Sequence, residues 1–147
     1  LHTAVESTAN APFETISRIL PFLDLYLLDI KHMNSAKHKE YTGAGNELIL
    51  ENAKRLAESG VELIIRTPVV PNFNDTPEEI RAISKFAASL RGVKEHHLLP
   101  YHRLGQDKYS GLGRRYSLEG VEPPSKEKME YLKACAEECG LKCQIGG

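Results

Sequence analysis

The chain lacks a surplus of positive charge, a long apolar run and a paired set of cysteines, and each absence removes a class of function. Its 147 residues carry 19 Lys and Arg against 20 Asp and Glu, a formal net charge of -1. A phosphate-binding surface needs a basic excess, so no nucleic-acid partner is expected. No stretch approaches the roughly 20 apolar residues of a membrane span, and no signal peptide stands at the start, so no membrane partner is expected either. Three cysteines are an odd number, which fits reduced thiols in the cytoplasm better than a secreted disulfide framework. There is no low-complexity tract, no internal linker and no initiator methionine. Leu1-His2-Thr3-Ala4-Val5 already reads as a strand, so the expectation is a chain entered in the middle of a fold.

What the chain does have is ordinary for a folded domain, with 41% hydrophobic and 27% charged residues, and its size fits a single domain over residues 1–147. It is organised around Leu25 to Met33, where an apolar, extended-looking run leads straight into Asp29, Lys31 and His32. A short continuous apolar run suits a parallel strand covered on both faces, and in barrels of such strands the chemistry sits at their C-terminal ends. Asp29 and Lys31 are two apart, so on an extended chain both face the same side. A carboxylate acceptor and an ammonium donor there suit a zwitterionic ligand; the plainer reading is a local ion pair, which contributes little.

The same unit recurs. Leu1 to Val5 runs into Glu6-Ser7-Thr8; Val61 to Ile65 runs into Arg66-Thr67; Val93 to Leu99 runs into Pro100-Tyr101-His102; and Leu141 to Ile145 is a candidate final strand. Between them lie helical patterns. Phe13, Ile16, Ile19 and Leu20 recur at helical spacing after Pro12, and Asn46 is a candidate cap for a helix striped with Leu48, Ile49, Ala53, Leu56 and Ala57. Thr76-Pro77-Glu78-Glu79 reads as an N-cap, a proline at N1 and a capping-box Glu at N3. Ser125 caps a last helix through Cys139, and a long glycine-bearing loop to Pro124 precedes it. Strand, polar end, helix, repeated at roughly 30-residue spacing, predicts an α/β fold with about four parallel strands and helices on the outer face. A closed eight-fold barrel takes about 250 residues, so the pattern fits half a barrel or a small open domain.

The strand ends bring Glu6 and Ser7, Asp29 and Lys31, Arg66, and Tyr101 and His102 toward one rim. Acids, bases, a hydroxyl and an imidazole beside an aromatic suit a ligand with an amino acid part, a sugar and a flat base. Taken singly, Arg66 reads as a partner for a nearby carboxylate and His102 as a surface histidine.

Several motifs in order carry a resemblance: Asp29-Ile30-Lys31-His32-Met33, Thr42-Gly43 with Asn46-Glu47-Leu48-Ile49-Leu50-Glu51-Asn52, Ile65-Arg66-Thr67-Pro68-Val69-Val70-Pro71, and Leu98-Leu99-Pro100-Tyr101-His102-Arg103-Leu104-Gly105. Lys108-Tyr109, Leu112-Gly113, Leu118, Gly120-Val121 and Pro123-Pro124 extend it. Over nearly its whole length the chain resembles the second half of the glycyl radical enzyme activating enzymes of the radical S-adenosylmethionine superfamily, the pyruvate formate-lyase activating type among them. The resemblance implies the C-terminal part of a partial (β/α)6 TIM-like barrel. In that family a [4Fe-4S] cluster on a Cys-x3-Cys-x2-Cys loop reductively cleaves S-adenosylmethionine, and the 5′-deoxyadenosyl radical takes a hydrogen atom from a glycine of the partner, a glycyl radical enzyme. An electron donor such as flavodoxin or ferredoxin is implied as well.

By the resemblance, Asp29 and Lys31 line the S-adenosylmethionine site, His102 packs near its nucleoside, Arg66 stands near the active-site rim, and Lys31 and Arg66 take the catalytic positions. Glu6 with Ser7 occupies the place of an Asp-Thr pair that helps bind a monovalent cation. Glu6-Ser7-Thr8-Ala9 departs from the usual Asp-Thr-Asn/Ser-Gly by a longer acid and a lost glycine. The cluster loop is absent from these residues, and its ligands are expected N-terminal to Leu1. Cys135, Cys139 and Cys143 are not read as a substitute, because a cluster needs thiolates converging from a loop and two of these lie at i and i+4 of a helix. No metal ligand is therefore assigned in the chain, and by itself it is expected to be inactive. Two other readings compete. Asp29-x-Lys31 resembles the Asp-x-Lys-x-x-Asp motif of barrel lyases acting on phosphorylated sugars, although Asn34 stands where the second acid belongs; a non-catalytic, partner-binding remnant is the other.

Overall fold

The computed structural model describes residues 1–102 and 120–147. Five strands form one sheet in sequence order: β1 (Ala4–Ser7), β2 (Leu25–Asp29), β3 (Glu62–Val69), β4 (Glu95–Pro100) and β5 (Lys142–Ile145). Each neighbouring pair is parallel, so every crossover returns the chain to the same end of the sheet and all C-terminal strand ends share one rim. β1 and β5 are the sheet edges. The α/β, parallel-strand architecture expected from the sequence is the one observed.

The helices are α1 (Phe13–Ser17), α2 (Ser35–Thr42), α3 (Glu47–Glu58), α4 (Pro77–Ser89) and α5 (Lys126–Glu137), with a 3-10 turn at Leu20–Phe22. α3 packs on β3, α5 packs on β4 and β5, and α4 packs on α5. The face they cover is built by an alternation that is strict on β2 and β3. Tyr26 and Leu28 of β2, Leu63 and Ile65 of β3 and Leu98 of β4 are buried, while Leu27, Ile64, Arg66 and Leu99 remain partly open on the other face. One core cluster joins Tyr26, Leu28, Ile49, Leu56, Ile65 and Ile83; a second joins Val69, Ile80, Leu98, Met129, Leu132 and Cys143.

Three local expectations are corrected. β3 does not stop at Ile65 but runs to Val69, because Pro68 needs no donor of its own: its carbonyl accepts from Asn74 Nδ2 at 2.8 Å while it pairs with Leu99. Asn46 does not cap α3 through its side chain; its Nδ2 donates to the His32 and Met33 carbonyls at 2.9 and 2.8 Å. Thr76 does cap α4, accepting from the Glu79 N–H, but the Glu79 carboxylate turns away from the cap and accepts the Met33 N–H at 2.6 Å. Asn34 and Ser125 cap α2 and α5 through their side chains as expected from their residue type.

Candidate functional site

The segment after β2 is held at nearly every backbone group. Ile30 N–H donates to Arg66 O at 2.9 Å, and Ile30 O accepts from Thr67 Oγ1 at 2.8 Å. Lys31 O accepts from Asn74 Nδ2 at 2.8 Å, and His32 Nδ1 accepts the Asn34 N–H at 2.9 Å. Together with the Asn46 and Glu79 bonds, these fix the path of residues 30–34, so Asp29 and Lys31 leave a rigid backbone. Fixed side chains hold a ligand with less ordering cost than mobile ones. His32 Nδ1 also lies 3.2 Å from Glu79 Oε1. It does not form a charged pair there: accepting from Asn34 requires the lone pair, and burial lowers its pKa against the opposing pull of Glu79.

Asp29 and Arg66 are Cα partners on β2 and β3, on the face the helices leave uncovered. Arg66 Nη1 donates to Glu6 Oε1 at 2.9 Å. Arg66 Nε stands 3.5 Å from Asp29 Oδ1, an ion-pair distance without hydrogen-bond geometry, and both atoms are buried without a hydrogen-bond partner. Burial pushes the Asp29 carboxyl above the usual carboxylate range, opposed by the Arg66 and Lys31 charges and reinforced by Glu6. A raised carboxyl beside a guanidinium nitrogen without a hydrogen bond makes this pair the candidate functional site. Ser7 faces the opposite way along β1, and its Oγ accepts the Ala9 N–H at 3.0 Å. Ala9 is buried with φ at 55°, the left-handed region that glycine takes without cost. His102 follows β4 and is exposed, next to buried Tyr101. The motif residues Arg103-Leu104-Gly105, Lys108-Tyr109, Leu112-Gly113 and Leu118 lie outside the described residues, as does most of the expected long loop.

The cysteines do not fit a cluster. Cys135 is buried on α5, Cys139 Sγ donates to the Arg81 and Cys135 carbonyls at 3.8 and 3.7 Å, and burial pushes the Cys143 thiol up to about 12. A thiol held protonated is a poor metal ligand. Asn34, where a barrel lyase needs its second acid, instead accepts the Lys37 N–H as the cap of α2.

Two histidines were not singled out from the sequence. His96, on the covered face, accepts from Ser84 at Nδ1 and donates to Thr67 at Nε2, both at 2.8 Å; the Thr67 hydroxyl is already spent on Ile30 O, which fixes that direction. Burial pushes its pKa down to about 3. His97, on the uncovered face, pairs with Arg66. The signal was their adjacency within a strand, which forces one inward and one outward.

No family model matches the chain. A solved domain of pyruvate-formate lyase-activating enzyme from Bacteroides vulgatus superposes on all of it with a TM-score of 0.81 at 32% identity, the match covering 82% of that domain. The chain is 37% identical over 145 residues to the indoleacetate decarboxylase activating enzyme of Tractidigestivibacter scatoligenes, covering 98% of the chain and 46% of that protein. It is 39% identical over 127 residues to pyruvate formate-lyase 1-activating enzyme of Escherichia coli, covering 86% of the chain and 52% of that protein. The chain thus spans about half the length of the curated relatives it matches. With a parallel half-barrel sheet, the Asp29-x-Lys31 strand end and likeness over its whole length, the chain belongs to the radical S-adenosylmethionine activating enzymes of glycyl radical enzymes.

Proposed function

We propose that this chain supplies the S-adenosylmethionine-binding half of an activase that generates a glycyl radical on pyruvate formate-lyase or a related enzyme. The observation that carries the reading is the uncovered sheet face, where Asp29 Oδ1 and Arg66 Nε lie buried at ion-pair distance with neither atom hydrogen-bonded, beside Lys31 on its rigidly held backbone. The ligand has an ammonium, a carboxylate, a sulfonium, a ribose and an adenine. In the proposed arrangement Asp29 accepts from its donors, Lys31 offers a cation to its carboxylate, Arg66 stands between Glu6 and Asp29 as a fixed donor, and His102 lies against the nucleoside. Bound S-adenosylmethionine, on receiving one electron from a cluster held outside these residues, would split into methionine and the 5′-deoxyadenosyl radical that takes hydrogen from the partner's glycine. The chain's own groups bind and orient it.

The cysteines present do not fit the [4Fe-4S] cluster, so its ligands are proposed to lie outside these residues. A flavodoxin or ferredoxin as electron donor and a cytoplasmic location belong to the same proposal; among the described residues no helix is long and apolar enough to cross a membrane. Of the pair proposed for a monovalent cation, Glu6 stands at the site with its carboxylate engaged by Arg66, whereas Ser7 faces the opposite way with its hydroxyl on Ala9, so the cation reading rests on Glu6 alone. On its own the chain is proposed to be inactive and to take up no cluster on anaerobic reconstitution; a stoichiometric iron-sulfur spectrum abolished by changing Cys135, Cys139 and Cys143 to Ala contradicts this.

The direct test is titration with S-adenosylmethionine followed by NMR. Lys31→Ala weakens binding by about 1 to 3 kcal/mol, the range for a hydrogen bond to a charged group. His102→Ala weakens it by about 0.5 to 1.5 kcal/mol, the range for a stacking contact. Unchanged affinity in the Lys31 variant removes the site assignment while leaving the family assignment in place.

A further inference from the structure

Among the described residues, three buried side-chain atoms have no hydrogen-bond partner: Asp29 Oδ1, Arg66 Nε and His97 Nδ1. They share one row. Asp29 pairs with Arg66 and Arg66 with His97 across β2, β3 and β4, so the three side chains leave the same face of three adjacent strands, each about 5 Å from the next. Unsatisfied buried polar atoms are rare and cost about 1 to 3 kcal/mol each. Three in a single row, on the face without helices, mark where the polar groups of another molecule meet the sheet.

His97 is the member of this row that the family resemblance did not assign. Its neighbour His96 shows what a structural histidine looks like in this fold, with both ring nitrogens bonded at 2.8 Å. His97 is 7% exposed and has one nitrogen bonded: Nε2 lies 2.7 Å from Glu95 Oε2. A carboxylate can only accept, so Nε2 carries a proton, and in the neutral imidazole Nδ1 is then a bare lone pair. Glu95 is therefore a positioning residue that fixes the tautomer, in the way a carboxylate orients an active-site imidazole. Asp29 Oδ1 and Arg66 Nε at least face each other at ion-pair distance, 3.5 Å, so the one atom of the row with no counter-group is the acceptor His97 Nδ1. Glu6, Asp29 and Glu95 stand against Arg66, Lys31 and Lys142, the last 4.0 Å from Glu95, so the site offers both signs of charge, which suits a zwitterionic ligand rich in donors.

We propose that His97 is a ligand-contacting residue of this site, its Nδ1 accepting a hydrogen bond from an N–H or O–H of S-adenosylmethionine while Asp29 accepts a second and Arg66 donates to an oxygen of the same molecule. The proposal rests on the reading of the site as one for S-adenosylmethionine. Two parts of that ligand share the required chemistry, the α-ammonium and the ribose hydroxyls.

The test is nitrogen NMR of the chain labelled with 15N-histidine, with the His97 signals identified by their loss in His97→Phe. Adding S-adenosylmethionine shifts the His97 Nδ1 resonance, and His97→Phe weakens binding about fivefold, as expected for one hydrogen bond. Methionine alone reproduces the shift if the ammonium is the donor, and 5′-deoxyadenosine alone reproduces it if the ribose is; either result supports the proposal. Should His97→Phe fail to fold, Glu95→Ala provides the second variant, since removing the acceptor releases the tautomer, lowers affinity and changes the Nδ1 shift of the free chain. Saturation with an unmoved Nδ1 resonance and unchanged affinity in both variants overturns the role of His97 while leaving the site reading intact. Absence of binding in the wild-type chain and in Asp29→Asn alike overturns both.

Discussion

The two faces of the sheet are built from the same strands and differ in how completely their polar groups are satisfied. On the covered face every notable polar group is closed by a partner: His96 lies between Thr67 and Ser84, and Thr67 in turn holds Ile30 O. On the uncovered face Asp29, Arg66 and His97 each retain a buried atom with no hydrogen bond, and the Asp29–Arg66 contact at 3.5 Å is an ion pair only. Helices explain the difference. A face sealed by helices has no later chance to satisfy its groups, so an unmet bond there is a permanent cost. A face left open can have its groups met by a ligand, and the cost carried by the empty site is recovered on binding.

The comparison is broken most forcefully at two adjacent isoleucines. Ile65 is fully buried among the helices, whereas Ile64 faces the other way and is partly open. Ile65→Ala should cost about 3 to 5 kcal/mol through lost burial and a cavity, and Ile64→Ala about 1 kcal/mol, both read by chemical denaturation. Equal costs would mean the faces are not distinct.

The next effect is at Asn74, which is fully buried and ties β3 to the Lys31 segment by donating to Lys31 O and Pro68 O and accepting from Val70 N–H. Asn74→Ala strands these groups and should cost about 2 to 3 kcal/mol. It should also weaken S-adenosylmethionine binding although Asn74 reaches the ligand only through the backbone. A variant that loses stability and keeps full affinity would separate the rim's support from its function.

A pH-dependent effect follows from His96. Its pKa is pushed down to about 3 by burial, below the value near 6.5 of an unfolded histidine. Its stabilising contribution is therefore complete above pH 6.5 and is lost as pH falls toward 3, by at most about 1.4 kcal/mol per pH unit. His96→Gln keeps hydrogen-bonding capacity without a titration, so its stability should fall less steeply over that range in denaturation series at stepped pH.

How much of this was legible beforehand follows the same division. The covered face announced itself through period: the apolar run of β2, the stripe of α3 and the Thr76-Pro77 start of α4 are local patterns, and the structure carries them. Asp29 and Lys31 were legible because they terminate such a run. What local pattern cannot show is pairing across strands. Arg66 read as a strand end and is mid-strand, because the continuation through Pro68 depends on β4 and on a bond from Asn74. Glu79 read as half of a capping box and serves Met33 instead, 46 residues away. Asn46 was assigned a cap and holds the Lys31 segment. α1 ends at Ser17 and leaves Ile19 exposed, since the 3-10 turn before β2 takes over where the apolar spacing continued. His97 gave no signal apart from its neighbour, and its meaning came only with the register.

The central claim is that Asp29 is held at a folding cost for the sake of a ligand. Burial raises its carboxyl pKa in the fold, so the destabilisation is absent below the usual carboxylate range and grows as pH rises through the raised value. Thermal denaturation of the wild type and Asp29→Asn at pH 7, each with and without saturating S-adenosylmethionine, tests this directly. The account predicts a variant at least as stable as the wild type without ligand and a clearly smaller rise in Tm with it. A variant that is less stable alone, or that gains as much from the ligand as the wild type does, contradicts it.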